Sequence, residues 1–170
     1  MGNYRYPMLC VLAAAIAVGV FAPGFYKTVT TAAPEATFAS IKGETIVLSR
    51  LRGKVVLVNF WATDCAVCVK EMPAIIATYE KFHARGFETI AVAMRHDPPN
   101  YVLAYAEKNA LPFNVVFDPV GAHAKAFGDV KLTPSTFVID KRGNVVTRIQ
   151  GEPDFGKLHA LLETKLNEKI

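Results

Sequence analysis

Two kinds of apolar pattern take turns along this chain. Residues 55–61 form a continuous apolar run around Asn59, the mark of a strand covered on both faces. After Cys65 the spacing changes. Met72, Ile75, Ile76, Tyr79 and Phe82 recur three or four apart until Gly86, which predicts a helix with one apolar face and a glycine stop. Residues 88–94 read as the next buried strand. Asp97, followed by Pro98 and Pro99, starts a second helix through Asn109, and residues 114–117 return as a short strand. Residues 121–127 suit one more short helix. The runs 136–140 and 145–150 flank Lys141-Arg142-Gly143-Asn144 as a hairpin, and Asp154 opens a closing helix carrying Leu158, Leu161, Leu162 and Leu166. Ahead of these, residues 38–49 hold two short apolar runs around Lys42-Gly43-Glu44, a further hairpin. The main order, βαβαβαββα, implies an α/β domain with a central sheet covered on both faces. No internal repeat or low-complexity segment interrupts it.

The amino terminus follows another logic. Arg5 precedes a stretch without charge, residues 6–26, whose core at 8–22 is Leu, Val, Ile, Ala and Phe with small interruptions. A cleaved signal needs small residues soon after the apolar run. Here Pro23, Gly24, Phe25 and Tyr26 follow, and Thr31-Ala32-Ala33 is a late, imperfect site. The reading adopted is an uncleaved membrane anchor, with a soluble periplasmic form after cleavage as the alternative. Arg5 on the cytoplasmic side would put everything after Lys27 outside, on the periplasmic side of a bacterial inner membrane. Cys10 lacks a lipobox and reads as an apolar membrane residue. Residues 28–36 have the small, polar, proline-containing character of a linker. The expected division is therefore 1–36, anchor or signal and linker, and 37–170, one folded domain.

Composition narrows the function. Across 170 residues, 52% are hydrophobic and 11% aromatic, enough to furnish a core. A net charge of +4 with no block of five like charges gives no sign of a nucleic-acid partner. Three cysteines are too few for a disulfide-stapled scaffold or an all-cysteine zinc site. Cys65-Ala66-Val67-Cys68 then needs its own explanation. At a junction of buried strand and helix, the first thiol meets the free N–H groups and positive dipole end of the helix, which stabilise a thiolate, while the second lies one turn inward. That makes Cys65 the attacking thiol and Cys68 the resolving one. A pair of reduced core cysteines or half a metal site is the plainer alternative.

The strand ending Asn59-Phe60-Trp61-Ala62, the cysteine pair, Glu71 three residues beyond it, Pro73, and Thr133-Pro134-Ser135-Thr136-Phe137 together resemble the thioredoxin superfamily, and within it the membrane-anchored or periplasmic reductases of the TlpA/ResA type, over about residues 37–168. The resemblance implies a thioredoxin-like mixed sheet with helices on both faces, an N-terminal hairpin, and a central αβ insert at residues 98–117. It also implies a cis bond before Pro134, leaving the Thr133 backbone free to pair with an incoming substrate strand. Trp61 is either a wall of that substrate site or a core residue. Glu71 shares a helix face with Cys68; if buried, it can exchange the Cys68 proton, a task that thioredoxin gives to an aspartate where this chain has Asn59.

Two departures stand out. Asp64 occupies a position where many relatives have tryptophan, and Ala66-Val67 replaces a proline-containing pair. A carboxylate beside Cys65 disfavours its thiolate and makes the couple more reducing, with Lys70 near enough in sequence to offset part of this. Of His83, His96, His123 and His159, only His96 is kept as a site candidate, because it ends a strand near the expected site edge; Met72 and Met94 read as core.

The implied activity is disulfide reduction in exported proteins, apocytochrome c or copper-site proteins among them, with electrons from an inner-membrane donor and no cofactor beyond the Cys65–Cys68 disulfide. A copper-binding or delivery module using Cys65, Cys68 and His96 is the competing reading. A thiol peroxidase is disfavoured because Thr63 stands two residues before Cys65, where Thr-x-x-Cys requires three.

Overall fold

The computed structural model describes residues 31–170, so the expected membrane segment and Cys10 lie outside the described residues. A hairpin of β2 (Thr37–Ala39) and β3 (Thr45–Val47) precedes the main unit. That unit runs β4 (Val55–Trp61), α1 (Ala66–Phe82), β5 (Phe87–Ala93), α2 (Pro99–Lys108), β6 (Asn114–Phe117), α3 (Ala122–Ala126), β7 (Ser135–Ile139), β8 (Asn144–Gln150) and α4 (Phe155–Asn167). The expected order is present throughout. On the linker side of the expected domain boundary, a two-residue β1 (Thr31–Ala32) pairs with β8, Thr31 opposite Val145 and Ala32 opposite Asn144.

The sheet order is β1-β8-β7-β4-β5-β6. Strands β4, β5 and β6 are parallel, joined by crossovers through α1 and α2; β7 pairs antiparallel with β4, and β8 antiparallel with β7, so the sheet is mixed. All seven residues of β4 are buried, which is why the run carries no apolar–polar alternation. Its alternate side chains nevertheless serve different cores. Val56, Val58 and Phe60 pack with Phe38 of the hairpin and with Phe127 and Phe137. On the other face Val55 and Leu57 meet Phe82, Leu158 and Leu162, while Trp61 meets Cys68, Met72 and Val102. Each such side chain contributes about 1.5–3 kcal/mol relative to an exposed position, which pins β4 at the centre and fixes where its carboxyl end delivers the cysteines.

Turn chemistry closes the opposite end of the sheet. Between β7 and β8, Asp140 Oδ1 accepts hydrogen bonds from the N–H groups of Arg142 and Asn144, at 3.0 and 2.8 Å, and Gly143 takes the left-handed conformation at φ +84°. Ala33 N–H then donates to the Gly143 carbonyl, seating the first described residues beside this turn.

Candidate active site

Cys65 and Cys68 are joined as a disulfide, with Cα atoms 5.2 Å apart. The strand-to-helix junction makes them unequal. Cys65 is the N-cap of α1, and its Sγ accepts the Cys68 N–H at 3.2 Å, so the sulfur sits among the unpaired amides of the first helical turn. Cys65 remains half-buried, whereas Cys68 is fully buried against Trp61 and Met72. A partner approaching from solvent therefore meets Cys65 Sγ first. When reduced, Cys65 gains from the helix dipole and the Cys68 N–H, both of which favour thiolate.

One turn further along α1, Glu71 is only 1% exposed. Its Oε1 accepts from Asn59 Nδ2 at 3.1 Å, and the same amide donates to Thr136 Oγ1 at 3.0 Å, so Glu71 is tied to β4 and β7 through one side chain. Its Oε2 and Asn59 Oδ1 are buried without a hydrogen-bond partner among the described residues. Burial raises the Glu71 pKa from 4.5 to about 7; the Asn59 hydrogen bond pulls it down, and the negative charge of Glu152 adds to the rise. As Cys68 and Glu71 are both buried on one helix and spaced i, i+3, their Cβ atoms lie about 5–6 Å apart. A carboxyl able to hold or release a proton near neutrality thus lies beside the buried sulfur.

Thr133–Pro134 is a cis peptide. Because Ser135 pairs with Phe60, Pro134 comes level with Trp61 and Thr133 with Ala62, at the same end of the sheet as the cysteines. Pro134 is buried, its carbonyl accepting from Gly151 N–H at 2.8 Å, while Thr133 is half-buried and Leu132 exposed.

Three expectations need correction. Trp61 is 0% exposed and tilts against Tyr105 with ring centroids 5.1 Å apart. It supports the disulfide from beneath and offers no surface to a docking substrate, because the last residue of β4 still lies under α1 and α2. Lys70 does not face Asp64; its Nζ pairs with Glu152 at 2.9 Å. Asp97 does not start α2, which begins at Pro99 with Pro98 as its N-cap.

Asp97 has another task, which sequence reasoning missed. Buried in the turn after β5, it accepts from Thr63 N–H (2.6 Å, Oδ2) and from Thr63 Oγ1–H (2.5 Å, Oδ1), gripping the loop that leads into Cys65. Its neighbour His96 reaches the same loop, Nε2 standing 3.5 Å from Asp64 Oδ1. The turn after β5 thus holds two successive residues of the active loop. Asp97→Ala leaves two donors of Thr63 without their acceptor at a cost of about 1–3 kcal/mol. Thermal melting of the oxidised protein should show a fall of about 3–10 °C; an unchanged midpoint would show the clamp to be dispensable.

The copper reading finds no ligand set here. Among the described residues no three His, Cys, Asp or Glu side chains converge as a metal site, and the His96 ring faces Asp64.

The Redoxin family model matches residues 28–162. The chain is 31% identical over 164 residues to the thiol-disulfide oxidoreductase ResA of Bacillus cereus, covering 94% of each chain, and 35% identical over 151 residues to that of Geobacillus kaustophilus, covering 86% of each. A candidate thioredoxin from Neisseria meningitidis, solved in solution, superimposes with a TM-score of 0.76 at 36% identity, over 82% of this chain and 93% of that one.

Proposed function

Since the chain belongs to the Redoxin family and is a thiol-disulfide oxidoreductase, we propose that it acts as a reductase of disulfides in exported proteins, on the periplasmic side of a membrane to which its amino-terminal segment tethers it. The observation that carries this reading is the inequality of the two sulfurs, a reachable Cys65 at the helix terminus and a buried Cys68 above Glu71.

In the reduced protein the Cys65 thiolate attacks one sulfur of a substrate disulfide. The new S–S bond joins Cys65 to the substrate, and the other substrate sulfur leaves as a thiolate that takes up a proton. Glu71 then accepts the Cys68 proton. Cys68 attacks Cys65 Sγ, the mixed disulfide breaks, and the second substrate sulfur departs as a thiol once protonated. Two electrons pass to the substrate and the Cys65–Cys68 disulfide re-forms. The disulfide is itself the redox group, and a membrane-borne dithiol donor restores the reduced state. Thr133 and Pro134 border the site where the substrate strand lies; the backbone of Thr133 pairs with it, as an added edge strand would. Apocytochrome c and copper-site proteins are the substrate classes implied by the resemblance of the Asn59–Ala62, Cys65–Cys68, Glu71 and Thr133–Pro134 pattern to TlpA/ResA-type reductases.

Direction of flow is tested by equilibrating the pair against dithiothreitol or glutathione buffers. Asp64 beside Cys65 disfavours the thiolate and hence the reduced form. The midpoint is therefore expected near the thioredoxin end of the scale, about −270 mV, and a value above about −180 mV would make the protein an oxidant or isomerase.

A further inference from the structure

The carboxyl ends of β5 and β6 open onto a groove of about 490 Å³ that the chemistry above leaves unused. It begins at His96, whose ring touches Asp64 next to Cys65, and ends at Lys131, two residues before Thr133. Both ends therefore adjoin the redox site. Its walls carry three permanent cations, Arg95, Lys125 and Lys131, with the His96 ring at one end. The only carboxylate among its described lining residues is Asp129, already paired with Lys131 at 3.0 Å. Arg95 and Lys125 have no carboxylate within 4.0 Å among the described residues. The Arg95 stem lies along the groove over Gly121, a left-handed glycine at φ +73° whose missing Cβ would stand 3.4 Å from Arg95 Cδ.

We infer that this groove is a specificity subsite that binds an acidic polypeptide segment flanking the target cysteines of the substrate. The inference rests on the reductase reading and adds the substrate class. Unpaired cations in a concave wall raise the local potential, favour encounter with carboxylate-rich segments and disfavour basic ones. A peptide held from His96 to Lys131 would run past Asp64 and Leu132, which brings its disulfide to Cys65. Binding carries no chemistry of its own; the two electrons still come from the Cys65–Cys68 dithiol.

The test is single-turnover reduction by the pre-reduced full chain of two synthetic peptides that share one disulfide loop, flanked by glutamates in one and by lysines in the other. Each rate is divided by that of the same protein with a small neutral disulfide. At low salt the glutamate peptide should react about 10-fold faster than the lysine peptide, and the difference should shrink at high ionic strength. The double replacement Arg95→Glu and Lys125→Glu should invert the preference, and Arg95→Gln with Lys125→Gln should erase it. An acidic-to-basic ratio that is the same in the parent and both variants would overturn the subsite. A parent that fails to reduce even the small disulfide would instead sink the oxidoreductase reading, and the subsite with it.

Discussion

Cys65→Ser is expected to bring reduction of insulin, with dithiothreitol as the electron source, to the uncatalysed background, while Cys68→Ser should accumulate a covalent mixed disulfide with the substrate. The asymmetry follows from position. Cys65 Sγ is the sulfur at the open helix terminus; Cys68 is buried and reaches no partner except Cys65. Without Cys65 there is no attacking thiolate at the surface, and serine is no substitute at neutral pH. Without Cys68 the first step still proceeds, but the second sulfur that would displace the substrate is missing. Non-reducing gels and mass spectrometry read out the adduct. Adducts that form through Cys68 in Cys65→Ser, or full turnover in Cys68→Ser, would reverse the assignment of roles.

Glu71→Gln should slow exchange by about 10–100 fold, in line with the loss of a general acid–base group. The step affected is the second one, so a mixed disulfide should linger in this variant. In the parent the pH–rate profile should bend near pH 7, where the buried carboxyl titrates, and in the reduced protein its proton is coupled to that of the neighbouring thiol. That bend should vanish in the glutamine variant, and coincident profiles would reduce Glu71 to an ordinary helix residue. A stability measurement on the oxidised protein separates the carboxyl from the chemistry. Well below pH 4.5 Glu71 is protonated in the folded and the unfolded chain and adds no pH dependence. Between 4.5 and about 7 the folded chain retains a proton that the unfolded chain has lost, so stability falls as pH rises. Above about 7 the loss is complete, about 3 kcal/mol. Glutamine carries no charge at any pH. The variant should therefore gain on the parent by that amount between pH 4 and pH 8 in denaturant titrations.

The legible parts of this molecule were those written in local patterns. A run at Val55–Trp61 that is apolar at every position but Asn59 can be buried on both faces and little else, and the shift to a three-to-four spacing after Cys65 marks α1 without help from elsewhere. The same is true of the cysteine pair, because a strand-to-helix junction determines which sulfur is reachable. What escaped was settled by contacts between distant parts of the chain. Asp97 and Thr63 are 34 positions apart, and before two prolines an aspartate looks like a helix cap. Lys70 finds Glu152 across 82 positions, which no spacing rule anticipates. An aromatic residue at a strand end can turn toward solvent or inward; α2 and Tyr105, not Trp61 itself, decide that it turns inward. The two residues of β1 are too few to carry a period, and backbone pairing to Val145 and Asn144 reveals them as strand.

That short edge strand covers only one end of its neighbour. Thr31 lies beside Val145, next to the β7–β8 turn, whereas Gln150 at the far end of β8 pairs with Ser135, on the side of the cysteines. Five residues of strand, about 17 Å, separate the two poles. Because β1 runs antiparallel to β8 and reaches only Asn144 and Val145, the stretch of β8 from Val146 to Gln150, the half nearer the disulfide, has no β1 partner among the described residues.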